Sequence, residues 1–350
     1  MATHVHLAVL LLLASLPLSA QTTSAPAPTL IGQGRGIDHV GVLVRDMVQA
    51  QHDYEKLGFV VGKGGHFSGG EFNGIVPFRN DSYIELLSVS DSTSAKRGMA
   101  AHIAEFLKTH EGAVFLGIEV SSAAAAADYL TARGFDATRP IPGAVMKDDE
   151  STPPPPQYYN VQISDTPAAG KKGVSLSVFF IQHVASEGMQ KRRAEGQMDH
   201  PNTAAAIHAV WFAVHSVNTQ LGTLRDAGLN AGESRRVKFL GAHGREVQAG
   251  QGVILLLEPS TKDGLLAKFL SNPVDPKENC NCRGEEAIIG LSIEVGDLAK
   301  ARQLAESGTG RKLESYEGFY GRSFLLPPEV TRGVWIEMYQ QAEHSNGGQH

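Results

Sequence analysis

Apolar and polar positions alternate in four short stretches of the chain, and a helix-like segment follows each of them. The four stretches are "HVGVLV", "FLGIEV", "VWFAV" and "GLSIEV". After each comes an Asp or Ser, whose side-chain oxygen can accept amides of a first helical turn, and later a Gly, which favours a left-handed helix exit. The Gly follows the capping residue by twelve positions in three copies and by eleven in the fourth. The pattern predicts a repeated strand and helix, capped at Asp46, Ser122, Ser216 and Asp297 and closed at Gly58, Gly134, Gly228 and Gly308.

Candidate strands follow every predicted helix, among them "GIVPF" and "SYIELLSV" in the first copy. Each unit is therefore predicted to have the order β-α-β-β-β. Four such modules give an α+β fold with two domains, which we assign to residues 36–190 and 205–341. The segment "STSAKRGMAAHIAEFLKTH" is predicted to carry a linking helix between the first two modules.

The first strand, "GIDHVGVLV", contains polar residues inside an otherwise apolar run. Because alternate residues of a strand share a face, Ile37, His39 and Gly41 are predicted to face away from the valines. Glu85 in "SYIELLSV" is predicted to lie on the corresponding face of its own strand. If the two strands lie in one sheet, His39 and Glu85 share a face of it, and Gly41 leaves room there for a ligand. A hydrogen-bonded core pair is the alternative, because a buried carboxylate needs a partner.

The composition describes a globular protein and argues against nucleic-acid binding. The 350 residues include 42% hydrophobic and 19% charged residues, and the formal net charge is −6. Such a chain has no basic field to hold a phosphate backbone. A small-molecule partner is the remaining expectation, and the oligomeric state stays open.

The first residues, "MATHVHLAVLLLLASLPLSAQ", are typical of a secretory signal peptide. We predict cleavage after Ala20, a tether over residues 21–35, and an exported protein that is periplasmic or secreted. The apolar run is short for a bilayer, which needs about 20 residues, so no stable membrane insertion is expected after cleavage. An uncleaved anchor is the alternative. Cys280 and Cys282, in "NCNC", are predicted to be a surface pair without a catalytic role, in an oxidation state that stays open.

Several of these segments resemble the vicinal oxygen chelate superfamily, and more closely its glyoxalase-like family. They are "IDHVGVLVRDM", "LGFVVGKGGHFSGGEFNGIVPF", "SYIELLSV", "FFIQH" and "HPN". The resemblance covers residues 36 to about 205 well and rests on the module pattern beyond them. It implies curved mixed sheets around a cavity. It also implies a divalent metal held by the first and last strands of paired modules.

Aligning the four modules extends the ligand set that the resemblance implies. The position of His39 is taken by Phe115, His208 and Ile289, and that of Glu85 by Gln182, Leu256 and Glu337. If the first two modules pair, the site is His39, Glu85 and the Gln182 amide, and the other pair offers His208 and Glu337. If the first module pairs with the fourth, His39, Glu85 and Glu337 form the site. Mixed nitrogen and oxygen ligands suit Zn, Ni, Fe or Mn.

The Gly-rich stretch "GKGGHFSGGEFN" lacks the ending of a phosphate-binding loop, and no helix follows it. The resemblance places it near the cavity mouth. His66 and Asn73 are therefore predicted to contact substrate, with Gln182, and His66 or Glu85 is predicted to transfer a proton. A solvated His66 in a turn is the alternative. His200 is predicted to be a capping or packing residue.

The leading functional hypothesis is a metal-dependent glyoxalase-like lyase or isomerase that acts on a small substrate with vicinal oxygens. The alternative from another class is an exported protein that binds or sequesters a small molecule without catalysis. A ring-cleaving dioxygenase ranks lower, because neither module pairing supplies two His and one carboxylate at the aligned positions.

Overall fold

The computed structural model describes residues 29–90, 98–147, 152, 154–184, 187–271 and 284–341. The predicted signal peptide, the start of the tether, and both Cys280 and Cys282 lie outside the described residues. Within those ranges, no helix is both long enough and apolar enough to cross a membrane.

The first two modules form one curled, mixed sheet of eight strands, in the order β2-β3-β4-β1-β5-β8-β7-β6. Its two central strands, β1 and β5, are antiparallel and begin the first and second modules. The elements are β1 (Gly36–Leu43), α1 (Met47–Lys56), β2 (Gly62–His66), β3 (Glu71–Pro77), β4 (Tyr83–Val89), α2 (Gly98–Leu107), β5 (Gly112–Glu119), α3 (Ala123–Ala132), β6 (Ile141–Gly143), β7 (Tyr158–Gln162) and β8 (Val178–His183).

After a short polar helix, the third and fourth modules repeat this arrangement. Their sheet has the order β10-β11-β12-β9-β13-β16-β15-β14, with β9 and β13 antiparallel at its centre. The elements are α4 (Glu187–Ala194), β9 (Ala204–Ala213), α5 (Val217–Asp226), β10 (Asn230–Val237), a 3-10 turn (Lys238–Leu240), β11 (Ala242–Ala249), β12 (Gly252–Pro259), α6 (Leu265–Ser271), β13 (Ala287–Val295), α7 (Leu298–Thr309), β14 (Ser315–Glu317), β15 (Arg322–Leu326) and β16 (Trp335–Gln340). We call the two sheets, with their helices, the first and second domains; the α+β class and the repeated module are those predicted.

The four module helices begin where the capping pattern predicts. In α1, α3, α5 and α7 the side chain of the Asp or Ser before the helix accepts the amide three residues later. The first three helices are followed by Gly in the left-handed region, as expected. The fourth prediction is wrong, because Gly308 lies inside α7 and the helix ends at Gly310, where φ is 66°.

One hydrophobic core joins the two domains. It contains residues of β1 and β5 from the first sheet, such as Val40 and Leu116, and residues of β9 and β13 from the second, such as Val210 and Leu291. The four module helices contribute to the same core. The sheets therefore pack through their convex sides, and each concave face points away from the other domain.

The first strand of each module contains a β-bulge, which lies after the second or third paired residue of that strand. The pairing of β1 with β5 passes from Ile37 to His39 and shifts by one residue at Asp38. A bulge inserts one residue and so reverses the facing of everything before it. Ile37 consequently packs in the shared core with Val40, not on the face of His39 as predicted. The residues at these bulges are Asp38, Val114, His208 and Ile289, and β9 has a second irregularity at Ala205.

Candidate functional site

His39 lies on the concave face of the first domain, immediately after the bulge at Asp38. Its Nδ1 is 2.7 Å from Oδ2 of Asp38, a side chain with no exposed surface. Burial by itself would raise the pKa of Asp38, but the charge of His183 and the hydrogen bonds from His183 and His39 lower it well below the usual range. Asp38 is therefore an ionised acceptor, so Nδ1 of His39 carries the proton. In the neutral imidazole the lone pair is then on Nε2.

Asp38 is held by two further side chains. Nε2 of His183 lies 3.1 Å from Oδ1, and the Arg35 guanidinium donates to the same oxygen at 3.2 Å. Burial would lower the pKa of His183, but the charge of Asp38 and the hydrogen bond to it raise that pKa above the ordinary value. Asp38 and His183 were not predicted as site residues. The signal for Asp38 was a charged residue inside an apolar strand, whereas His183 lies 145 positions further along.

Glu85 is the second polar group of this concave face. Asn73 donates from Nδ2 to Oε1 of Glu85 at 2.6 Å, and its Oδ1 accepts the Gly65 amide at 2.9 Å. Because the Gly65 amide can only donate, the orientation of the Asn73 amide is settled. The other oxygen of Glu85, Oε2, is 3.7 Å from Nε2 of His39. The predicted meeting of His39 and Glu85 is present, and Asn73 joins them.

Aromatic rings enclose His39 on three sides. Tyr83 stacks on the imidazole with ring centroids 4.6 Å apart, and the edges of Phe115 and Phe179 approach at 5.8 Å and 5.5 Å. The space expected above Gly41 is not free for a ligand, since a Cβ there would lie 2.1 Å from the Phe115 ring. That expectation is corrected: Gly41 accommodates Phe115.

Tyr158 is a further group near Glu85. Burial chiefly, and then the charges of Glu85 and Glu71, raise the pKa of Tyr158 to about 12. Its phenol therefore keeps its proton at neutral pH and can donate to a ligand. Tyr158 was missed because its strand, β7, is short and lies at a distance in sequence from the predicted site.

Gln182 and His66 do not join this site. Oε1 of Gln182 accepts the amide of Ala123 at the start of α3 at 2.8 Å, so Gln182 lies on the helix side of β8. The strand register shows the reason: Gly41 pairs with Glu85 in the first module, and Gly117 pairs with Phe179 in the second. Phe179, not Gln182, therefore occupies the place of Glu85.

His66 ends β2, opposite Phe72. Cross-strand partners share a face, and Phe72 packs against the shared core. His66 is consequently on the opposite face from Asn73. Its backbone amide and carbonyl form two hydrogen bonds with Met146, which link the edge of β2 to the segment after β6. The predicted catalytic and substrate-binding role of His66 therefore has no support in this geometry.

The second domain does not assemble the predicted ligands His208 and Glu337 into a site. His208 is the bulged residue of β9, so Ala209 takes the position of His39. The His208 ring lies against Tyr320, with centroids 4.2 Å apart, and burial lowers its pKa. Leu255, rather than Leu256, takes the place of Glu85, because it pairs with Trp211.

Glu337 does hold the position equivalent to Glu85, as predicted. It accepts hydrogen bonds from Ser292 at 2.7 Å and from Tyr316 at 3.0 Å. Burial raises the pKa of Glu337, although the hydrogen bonds from Ser292 and Tyr316 oppose the shift. Its oxygens are thus engaged within its own domain, in a different sheet from His39. A site combining His39, Glu85 and Glu337 does not form.

His200, in the segment that links the two domains, packs against the first domain, with Phe59 and Phe78 as ring neighbours. Its Nδ1 accepts the Val60 amide at 2.8 Å, and its Nε2 donates to the Pro77 carbonyl at 2.8 Å. Burial lowers the pKa of His200 to about 4, against the opposing hydrogen bond to Pro77. The imidazole is therefore neutral and structural at neutral pH.

Comparison with known proteins gives the family of the site. A family model described as a glyoxalase-like domain matches residues 37–225, more than half of the chain. The chain belongs to the glyoxalase-like domain family of the vicinal oxygen chelate superfamily. The matched range contains the whole first domain, with His39, Asn73 and Glu85. A search of curated proteins found no match.

Two solved structures share the fold of this glyoxalase-like protein over most of its length. A hypothetical protein from Staphylococcus aureus has 12% identity and a TM-score of 0.55, covering 87% of this chain and 98% of its own. A mutant of 4-hydroxymandelate synthase from Streptomyces coelicolor has 13% identity and a TM-score of 0.55, covering 88% of this chain and 92% of its own. At these identities the likeness establishes the two-domain fold alone.

Members of the superfamily typically bind a divalent metal, and the donor set here does not fit one. His39 Nε2 and Glu85 Oε2 are two suitable donors, but Phe115 and Phe179 hold the equivalent positions of the second module. Catalytic zinc sites have three protein ligands. Within the described ranges, no three His, Cys, Asp or Glu side chains come together to hold a metal ion. The set predicted for Zn, Ni, Fe or Mn is therefore incomplete.

Proposed function

We propose that the first domain binds a small molecule at His39 and Glu85 and moves a proton on it, as an isomerase or lyase does. The observation that carries this proposal is the pair of acceptor atoms, His39 Nε2 and Glu85 Oε2, 3.7 Å apart on the concave face. Since Asp38 accepts a hydrogen bond from the Nδ1–H of His39, Nε2 of the neutral imidazole offers a lone pair beside a carboxylate. A hydroxyl of a ligand could donate to either acceptor, and either acceptor could take a proton from a C–H next to a carbonyl.

The surrounding residues support general acid–base chemistry. Asp38 sets the tautomer and orientation of His39, and Asn73 holds one oxygen of Glu85, so that Oε2 stays available. The phenol of Tyr158 can donate to a ligand oxygen. In an isomerisation, His39 or Glu85 would take a proton from the substrate and return it to a neighbouring atom. In a lyase reaction the bond to the departing group breaks as the proton leaves carbon, and that group receives the proton, so both reactions balance without another reagent.

A small substrate with vicinal oxygens is the class that these groups suit. Adjacent hydroxyl and carbonyl groups place a donor and an acceptor at the spacing that an imidazole, a carboxylate and a phenol can recognise. Because the donor set does not fit a metal, every step is assigned to the chain's own side chains. A ring-cleaving dioxygenase fits less well, because its iron site requires a second histidine beside His39 and Glu85.

Hydrogen exchange tests the proposal directly. The purified chain is incubated in D2O with hydroxyacetone, dihydroxyacetone and methylglyoxal, and loss of the C–H signal is followed by proton NMR. We expect exchange above the buffer rate with at least one probe, and a return to the buffer rate in Glu85→Gln and in His39→Gln. Exchange that survives both substitutions would contradict the assignment of these residues.

Binding without catalysis is the second candidate, and the aromatic walls favour it. Tyr83, Phe115 and Phe179 offer ring surfaces around the polar pair, as in a site that retains a ligand by stacking. Saturation-transfer NMR with the same probes separates the two candidates. Binding with no exchange supports a sequestering protein, whereas neither binding nor exchange counts against both.

We also propose that residues 1–20 direct export and are removed after Ala20, so that the protein acts in the periplasm or outside the cell. The apolar run followed by small residues supports this. Amino-terminal sequencing of the protein recovered from periplasmic and culture fractions tests it; a cytoplasmic protein that keeps Met1 would contradict it.

A further inference from the structure

The first and second modules are related by an approximate two-fold axis, so two positions of the first module each have an equivalent position in the second. Strands β1 and β5 are antiparallel at the centre of the sheet, and β4 and β8 lie beside them, parallel to β1 and β5 respectively. The bulges of β1 and β5 bring His39 and Phe115 into equivalent positions. The strand register does the same for Glu85 and Phe179.

These four side chains cluster around His39. The rings of Phe115 and Phe179 lie 5.8 Å and 5.5 Å from the ring of His39, and 5.7 Å from each other. Oε2 of Glu85 is 3.7 Å from His39 Nε2. The imidazole of the first module therefore has the carboxylate of its own module and two phenyl rings of the second module as neighbours.

The polar half of this arrangement is already prepared as a metal half-site. A metal-binding His usually donates its second ring N–H to a carboxylate, which fixes the ring. His39 donates from Nδ1 to the carboxylate of Asp38 in this way. Nε2 is the atom left to bind, and Glu85 Oε2 lies close enough to share an ion with it. A phenyl ring has no lone pair to offer, so the other half contributes no ligand.

We infer that Phe115 and Phe179 occupy the two positions that would complete a divalent-cation site with His39 and Glu85, so that the natural first domain works without a bound metal and a metal site can be restored there. The inference goes beyond the proposed function because it concerns metal affinity, which is measured without substrate.

The experiment compares Co²⁺ binding by three full-length proteins after treatment with a chelator. They are the natural chain, the double variant Phe115→His/Phe179→Glu, and the control Phe115→Leu/Phe179→Leu, which removes the rings without adding ligands. Binding is followed by visible absorbance, which reports nitrogen and oxygen ligands on Co²⁺, and by calorimetry. Circular dichroism and thermal melts show that each variant is folded.

We expect one Co²⁺ per chain in the His/Glu variant, bound at least about 100-fold more tightly than by the natural chain or the Leu control. Adding His39→Ala to the His/Glu variant should remove this binding, which separates the site from the chain's other histidines and cysteines. The single variants Phe115→His and Phe179→Glu each supply a third ligand and should bind Co²⁺ with intermediate affinity, so the test remains decisive if the double variant does not fold.

Two results would overturn the inference. One is stoichiometric Co²⁺ binding by the natural chain that is lost in His39→Ala. The other is a set of folded His and Glu variants that bind Co²⁺ no better than the Leu control. Neither result depends on whether the proton-transfer proposal is right, since an exchange-inactive protein can still gain or lack the metal site.

Discussion

The two concave faces have the same strand order and differ in how their carboxylates are used. In the first domain Glu85 keeps one oxygen 3.7 Å from His39 Nε2, which is longer than a hydrogen bond. In the second domain the equivalent Glu337 accepts from Ser292 and Tyr316, and Ser292 in turn accepts from the Trp211 indole at 2.9 Å. A network of this kind stabilises a core and engages both oxygens of Glu337 within the protein.

The side chains that pack on the two concave faces differ as well. Trp211 stands where the first domain has Gly41, and it packs with Phe319 and with α6 residues such as Phe269. The first face also receives a helix, α2, but that helix covers the end near Leu43 and Leu87. The same strand order thus places an imidazole and a carboxylate side by side on one concave face and packed aromatic side chains on the other.

The largest effect should come from emptying the second face. Trp211 has no exposed surface, and truncation of a buried Trp costs about 3–5 kcal/mol. We expect Trp211→Ala to lower the free energy of unfolding in urea by this amount and to leave proton exchange by the folded protein unchanged. Phe115→Ala is the matched control in the first face and should cost less, because Phe115 is partly exposed. Equal losses would show that the two faces are equally packed.

Acid should weaken the packing of the linking segment at His200 against the first domain, away from either concave face. The pKa of His200 is lowered by burial to about 4, against an ordinary value of about 6.5 in the unfolded chain. The unfolded chain therefore binds the proton first, so the contribution of His200 is complete above pH 6.5 and is lost as the pH falls towards 4. The full loss is about 3 kcal/mol.

Urea unfolding of the natural chain and of His200→Gln, from pH 7.5 down to pH 4.5, measures this contribution. The difference between the two proteins should shrink across that window, because Gln does not titrate. A difference that stays constant with pH would contradict the role given to His200.

Glu85 and Glu337 provide the most direct comparison, with an intermediate effect. Glu337→Gln disturbs a buried pair of hydrogen bonds and should cost about 1–3 kcal/mol of unfolding free energy. Glu85→Gln should cost less than about 1 kcal/mol, since the amide can still accept from Asn73, but it should abolish proton exchange. Urea melts and the D2O assay on both variants check this. Loss of proton exchange in Glu337→Gln, with exchange retained in Glu85→Gln, would contradict the different roles given to the two carboxylates.

The smallest effect should be the same in both domains. Replacing the N-cap Ser122 in the first domain or Ser216 in the second by Ala should cost about 1 kcal/mol each. Thermal unfolding with the two single variants measures it. Similar losses show that the domains differ in their concave faces and not in their helices; a large difference would point to another asymmetry.

The repeated module could be predicted because its signals are local. An alternating strand, an Asp or Ser cap and a Gly exit each depend on a few neighbouring residues, and Asp46, Ser122, Ser216 and Asp297 all cap helices as predicted. The one wrong boundary, at Gly308, arose because a Gly can be tolerated inside a helix when another Gly follows.

The site was predicted only in part. His39 and Glu85 meet because both lie close to their strand centres, where alternation is a safe guide. Gln182 and His208 were misplaced because sequence alignment of short strands cannot detect a bulge or the true register. Asp38 is polar within an apolar strand, so the alternation pattern gave no information about its partner. That partner is His183, on a strand of another module.

The amino-acid sequence by itself determined four βαβββ modules and the residues that begin their helices, because hydrogen bonds within a turn and the alternation of faces act over a few positions. Only the tertiary structure decided which modules pair, which face each polar residue takes, and that phenyl rings complete the space around His39. Those outcomes depend on bulges and strand register between segments far apart in the chain, where a shift of one residue exchanges the core face for the cleft.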